Sequence, residues 1–106
     1  MNTIRQGDVL IVPIKKLPAK LTEVARENGR VVLAHGEATG HAHAIENHGV
    51  RMFREDGAGS GLYMTVSGET ATLAHEEHTH IAIPPGDYKI IRQREWHAGM
   101  ARQVAD

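Results

Sequence analysis

The sequence contains no cysteine, few aromatic residues and no long apolar run. Without cysteine it has no disulfide, no thiolate metal site and no cysteine nucleophile. The longest apolar stretch, Val9–Ile14, is far shorter than the roughly 20 residues that a membrane-spanning helix needs. The first residues also lack the charged-then-apolar pattern of a secretory signal. These absences predict a cytoplasmic protein that does not enter a membrane.

An excess of charge of either sign is also missing. The formal net charge is −1 and the isoelectric point is about 6.7. Neither value provides a general attraction to nucleic acid or to an anionic lipid surface, so neither is expected as a partner.

The length of 106 residues fits one domain, residues 1–106, because two cores would each be too small to be stable. Aromatic residues supply only 4% of the chain, so the core must consist mainly of aliphatic side chains. A small aliphatic core buries a modest area, and association of subunits then adds stability. We therefore expect a homo-oligomer.

Short apolar segments separated by turn residues predict a mostly β fold, a small single-domain barrel or sandwich. Residues 17–28 combine a helical spacing of apolar side chains with Asn28-Gly29 as a stop, which fits either a short helix or an ordered loop. At most one short helix is expected. Residues 67–69 have the length and composition of a hairpin turn between the strands on either side. The predicted strands are residues 9–14, 31–34, 41–46, 50–54, 62–66, 70–73, 78–83 and 87–96.

Histidine is abundant, with eight residues at uneven positions. Two His-x-His pairs stand out, His41 with His43 and His78 with His80, and His75 lies just before the second pair. Residues two apart on a strand share a face, so each pair presents two imidazoles side by side. If the two strands are neighbours, four imidazoles converge and can bind Zn²⁺, Fe²⁺, Ni²⁺ or Cu²⁺.

Other interpretations of the histidines stay open. On a half-exposed sheet they can be ordinary polar positions, hydrogen-bonded to nearby glutamates, or they can form a pH-sensitive subunit contact. Glu37 and Glu76 are the candidates to orient an imidazole or to act as a catalytic base.

Residues 36–46, GEATGHAHAIE, resemble the first conserved motif of cupins. In that family a glycine, a His-x-His pair and a downstream glutamate bind a metal inside a small β-barrel. Pro85-Gly86 is similar to the turn of the second cupin motif. The resemblance implies a cupin-like metal-binding barrel. The chain is also similar to small bacterial or phage-encoded proteins that carry a GExTGHxH segment and a closing RQRE-aromatic segment.

The last predicted strand carries many charges. Strand alternation places Arg92, Arg94 and Trp96 on one face, where two guanidinium groups and a ring can hold a small phosphate or carboxylate. The same charges are also typical of a solvated edge strand that resists pairing with another sheet, or of a salt-bridged subunit contact.

Two functions therefore follow from the sequence. The first is a metal-binding β domain, with an enzymatic role on a small molecule left open, whose candidate ligands are His41, His43, His78, His80 and His75. The second is a non-catalytic oligomeric binding module in which histidines and arginines line an interface or an anion pocket.

Overall fold

The computed structural model describes residues 2–36, 40–57 and 61–93, and all regular elements in these segments are β-strands. This confirms the predicted mostly β fold. The strands are β1 Ile4–Gln6, β2 Val9–Ile14, β3 Leu21–Val24, β4 Val31–His35, β5 Ala42–Ile45, β6 Val50–Glu55, β7 Leu62–Val66, β8 Ala71–His75, β9 His78–Ile83 and β10 Gly86–Arg92.

The strands form two antiparallel sheets. One has the order β1-β2-β10-β7-β6-β3 and the other the order β4-β5-β8-β9. Within the described segments neither sheet closes on itself, so of the two predicted architectures the sandwich fits and the closed barrel does not.

The core lies between the sheets and is aliphatic, as the sequence predicts. Ile11, Met64 and Tyr88 come from the six-stranded sheet and are fully buried. Ile45 and Leu73 come from the four-stranded sheet and face them in the same cluster. This apolar centre is bordered by four buried polar residues, which are Gln6, Asp8, His43 and His75.

The short helix considered for residues 17–28 is absent. Leu21–Val24 instead pairs with Val50–Glu55 as the edge strand β3. Leu21 and Val24 are half-buried while the two residues between them are exposed. Pairing with β6 supplies hydrogen-bond partners for the backbone of Leu21–Val24, and this outweighs a weak local preference for helix.

The predicted hairpin at residues 67–69 is also wrong. β7 and β8 lie in different sheets, so the chain crosses between the layers at this point. Gly68 takes a φ of 81°, and the Ser67 N–H donates to the Gly49 carbonyl. A turn-rich tripeptide fits a crossing between sheets as well as it fits a hairpin, because both need only a sharp reversal of direction.

The edge-strand interpretation of the last strand is wrong for its described part. β10 pairs with β2 on one side and with β7 on the other. Its backbone from Asp87 to Ile90 is therefore paired on both sides, inside the sheet.

No helix with the length and apolar character needed to cross a membrane occurs in the part of the chain that the structure describes.

Candidate metal centre

Four imidazoles converge beside the core. The His75 ring is central, with centroid distances of 4.3 Å to His43, 4.7 Å to His78 and 5.8 Å to His41. The rings of His43 and His78 are 5.8 Å apart and nearly parallel. We call these four residues the histidine cluster.

The sheet order explains why His75 is central. β8 lies between β5 and β9, so the two His-x-His strands are not neighbours as the simplest prediction required. His75 ends β8 and pairs with His78 across the two-residue turn Glu76-Glu77. The turn thus brings His78 beside His75, and β5 brings His43 to the other side.

His80 lies apart from the cluster because β9 contains a bulge. Leu73 pairs with Ile81 and His75 with His78, so two residues of β9 stand opposite the single residue Ala74. The extra residue breaks the alternation of faces. His80 is exposed and lines a pocket of about 420 Å³ with Ala44 and Ala74, and it also lines a smaller pocket of about 180 Å³ with His75 and Glu76.

A network of buried polar side chains adjoins the cluster. His43 Nδ1 lies 2.8 Å from Gln6 Oε1, and His43 Nε2 lies 3.5 Å from Asp8 Oδ1. Arg92 Nε donates to Asp8 Oδ2 at 3.1 Å, and Arg92 Nη2 donates to the His35 carbonyl at 2.7 Å.

Burial sets the electrostatics of the cluster. Desolvation, followed by the neighbouring charge of His75, lowers the pKa of His43 from 6.5 to about 4, although Asp8 opposes the shift. Desolvation, followed by the charge of His78, also lowers the pKa of His75. Both buried rings are therefore neutral at pH 7 and have a lone pair to offer a metal.

One group in the described segments has the spacing of metal ligands. A ligand atom from each of His41, His75 and Glu76 lies within 4.8 Å of the other two. Glu76 Oε1 accepts a hydrogen bond from the Ala42 N–H at 3.0 Å, and this bond lowers the pKa of Glu76. The carboxylate is therefore charged and anchored beside the two imidazoles.

The predicted site residues thus fall into three sets. His41, His43, His75 and His78 come together with Glu76, whereas His80 does not join them. Arg92 is bound within the chain rather than directed to an empty anion pocket. The remaining predicted residues lie outside the described segments, and they are Glu37, Arg94 and Trp96.

Gln6 and Asp8 are the contributors that the sequence interpretation missed. Gly7-Asp8 has the composition of a turn, and an aspartate in a turn normally serves the turn itself, so the sequence pattern gives no reason to place Asp8 beside the histidines.

The family match covers most of the chain. A family model described as Domain of unknown function (DUF8820) matches residues 5–93. The chain belongs to this family. The matched segment contains the whole histidine cluster together with Gln6, Asp8 and Arg92. No curated protein and no solved structure matches the chain. The cupin resemblance of residues 36–46 stays a prediction from the motif alone.

Proposed function

We propose that this protein binds a divalent transition metal at the histidine cluster, with His41, His75 and Glu76 as the first ligands. The observation that carries the proposal is the approach of their ligand atoms to within 4.8 Å of one another. Two further imidazoles adjoin the His75 ring, that of His43 at 4.3 Å and that of His78 at 4.7 Å between centroids.

Small side-chain rotations are enough to close this site. Metal bonds of about 2.1 Å in a tetrahedral arrangement place neighbouring ligand atoms about 3.4 Å apart. His41 and Glu76 are partly or fully exposed and can move inward, while His75 is only 7% exposed and is held by packing. Two imidazoles and a carboxylate suit Zn²⁺ or Fe²⁺, and three protein ligands leave a position open for water or a small molecule.

Metal binding must break one hydrogen bond of the turn. The Glu77 N–H donates to His75 Nδ1 at 3.0 Å, so this nitrogen carries a lone pair and Nε2 carries the proton in the neutral ring. A metal at Nδ1 displaces the Glu77 N–H, and a metal at Nε2 moves the ring proton to Nδ1. In both cases the Glu77 amide loses its acceptor.

The experiment is metal analysis of protein purified without a histidine tag and loaded with Zn²⁺ or Co²⁺. We expect stoichiometric binding, and we expect the double variant His41→Ala/Glu76→Gln to lose an ion. Exposed His48 is a matched control, since His48→Ala removes an imidazole outside the cluster. In ¹⁵N spectra the Glu77 amide should shift on loading. Wild-type protein that binds no metal by calorimetry would contradict the proposal.

The alternative of a non-catalytic assembly module has less support from the site. Its anion pocket relied on Arg92 and Arg94. Arg92 Nε and Nη2 already donate to Asp8 and to the His35 carbonyl, and Arg94 lies outside the described residues. Binding of a small anion, the cytoplasmic location and the homo-oligomer stay predictions from the sequence.

A further inference from the structure

Two adjoining pockets lie beside the proposed metal ligands. The larger has a volume of about 420 Å³ and the smaller about 180 Å³, and both are lined by Arg30, Ala74 and His80. The smaller pocket is also lined by His75 and Glu76. We call the two pockets together the Arg30 groove. Small-molecule sites typically have volumes of about 300–1,000 Å³, so the groove has room for such a ligand.

The groove exists because small side chains stand where larger ones would fill it. Ala42 and Ala44 are two apart on β5 and share a face, and Ala44 pairs with Ala74 of β8. Their chain neighbours Ile45 and Leu73 belong to the main core, so strand alternation puts the alanines on the opposite face. The three methyl groups form an apolar floor on which a short hydrocarbon chain can lie.

A tight turn before β4 fixes the position of Arg30. The Arg30 N–H donates to the Glu27 carbonyl at 3.0 Å, and the Glu27 N–H donates to the Arg30 carbonyl at 2.8 Å. Between them Asn28 and Gly29 have φ values of 54° and 81°, as a two-residue type I′ turn requires. The Arg30 side chain is therefore attached to a rigid element of the backbone.

The Arg30 guanidinium has no hydrogen-bond or ion-pair partner among the described residues, although Arg30 is half-buried. By contrast, the Arg92 guanidinium is paired with the Asp8 carboxylate. A guanidinium with free N–H groups can hold a planar oxyanion through two parallel hydrogen bonds. Arg30 thus supplies an anion-binding group at the wall of the groove.

The charges around the groove favour a carboxylate over a phosphate. Among the described residues that line it, Arg30 is the one arginine or lysine. Glu46 is exposed and adds a negative charge to the larger pocket. A phosphate group carries up to about two negative charges at pH 7 and needs more donors than one guanidinium provides. One guanidinium near one carboxylate suits a ligand with a single negative charge.

We propose that the Arg30 groove binds a small organic carboxylate, with its carboxylate group on the Arg30 guanidinium and its hydrocarbon part on the alanine floor. This binding does not require a metal. The further role of the groove as the substrate pocket of the metal centre rests on the proposed function, because His75 and Glu76 line its smaller part.

The test is a titration of tag-free, metal-free protein with butyrate, followed in ¹H–¹³C spectra through the methyl groups of Ala44 and Ala74. Butyrate should shift both signals saturably, with a Kd on the order of millimolar. Butyramide, the uncharged isostere, should bind at least about tenfold more weakly. Inorganic phosphate should also bind more weakly than butyrate, and tighter binding of phosphate would overturn the carboxylate assignment.

Charge variants locate the anion in the groove. Arg30→Gln should weaken butyrate binding at least about tenfold, and Arg30→Lys should recover part of the loss, because the charge remains without the planar fork. Glu46→Gln should tighten binding about twofold, because it removes a repelling charge.

Arg54→Gln is the matched control. Arg54 also has no bonded partner among the described residues, but it lines a different pocket. This variant should bind butyrate as wild type does. Equal affinities in Arg30→Gln and Arg54→Gln would overturn the proposal.

Zinc-loaded protein separates the groove from the proposed function. If both hold, Zn²⁺ should tighten butyrate binding at least about threefold in wild type but not in His41→Ala. Arg30-dependent butyrate binding in a protein that takes up no metal supports the groove and overturns the proposed function. Stoichiometric metal binding with no butyrate shift at Ala44 and Ala74 spares the proposed function and overturns the groove. Equal butyrate affinity with and without Zn²⁺ overturns the role of the groove as the substrate pocket.

Discussion

The two buried histidines hold their protons on opposite nitrogens. His43 donates from Nδ1 to Gln6, whereas His75 accepts at Nδ1 from the Glu77 amide. In its neutral form His43 therefore has a lone pair available at Nε2. His75 has one available at Nδ1 only after the Glu77 N–H stops donating to it. Identical side chains 4.3 Å apart thus differ in how readily they bind a metal, and the difference is set by one glutamine and one backbone N–H.

The depressed pKa of His43 predicts acid sensitivity of the metal-free protein. The pKa is about 4 when folded and about 6.5 when unfolded, so the unfolded chain binds more protons between these values. Stability is thus complete above pH 6.5 and falls as the pH drops from 6.5 to 4, by about 3 kcal/mol. Urea unfolding at intervals across this range measures the fall. His43→Gln should flatten the slope, while exposed His48→Gln should leave it steep, and an unchanged slope in His43→Gln would contradict the assignment.

Gly7 packs against the histidine cluster with no room for a side chain. Gly7 has a φ of 60°, and an added Cβ would lie 2.8 Å from His78 Nε2. Gly7→Ala should therefore cost about 2 kcal/mol of unfolding free energy and weaken metal binding. Gly68→Ala is matched to it, since Gly68 has a φ of 81° but nothing near its Cβ position. That variant should lose about 1 kcal/mol and bind metal as wild type does. Equal metal affinity in the two variants would argue against the packing of Gly7 on the site.

At the scale of the elements, two bulges shape the four-stranded sheet. In β4 the pairing passes from Val32 with Ala44 to Ala34 with His43, so one extra residue lies in β4. In β9 the extra residue lies between Ile81 and His78. Each bulge adjoins a residue of the histidine cluster, and bulges commonly redirect side chains beside functional sites.

The bulge in β9 makes a direct prediction about its two histidines. His80→Ala should leave metal stoichiometry unchanged and lower affinity less than His78→Ala does, because exposed His80 makes no ring contact with the cluster among the described residues. His78→Ala should weaken binding at least about tenfold, because its ring lies 4.7 Å from that of His75. Calorimetric titration with Zn²⁺ compares the two. Equal losses in both variants would mean that β9 keeps a regular alternation.

Local sequence patterns were sufficient to predict many of the strands, but not which strands pair with one another. The bounds of β2, β7 and β9 follow from apolar runs between turn residues, and the sequence interpretation placed them correctly. β1 and β3 were missed because a strand of three or four residues depends on the neighbour it pairs with. The histidine cluster was predicted in part, from the His-x-His pairs. The central position of His75 depends on the order of the strands in the sheet, and the absence of His80 from the histidine cluster depends on the bulge in β9. A local sequence pattern contains neither of these.

At the scale of the molecule, the outer face of the six-stranded sheet retains apolar side chains. Ile91 is 37% exposed, and its neighbour on β2, Leu10, is only partly buried. From Asp87 to Ile90 the backbone of β10 is already paired on both sides, so a subunit contact through this part of the strand uses its outer face. The predicted homo-oligomer therefore has a face available for contact, though not an edge of β10.

Light scattering tests this prediction at micromolar concentration. Wild type should run above the chain mass of 11.6 kDa. Ile91→Glu should shift the population toward monomer, because a charge replaces an apolar contact. Lys89→Glu, on the same face, is a control for charge alone. A wild type that runs as a monomer contradicts the prediction.

The pairing of β2 with β10 has a consequence for the timing of assembly. It joins residues near the two ends of the chain, and the Arg92 guanidinium of β10 meets the Asp8 carboxylate of the first turn. Contacts between such distant residues close large loops and form late during folding. A chain still being synthesised can pair β8 with β9 before β10 exists, but it cannot yet hold Asp8 in place. The ion pair between Arg92 and Asp8 beside the histidine cluster therefore forms only after β10 has been synthesised, and a metal ion that arrives earlier meets the histidines of the hairpin without this ion pair in place.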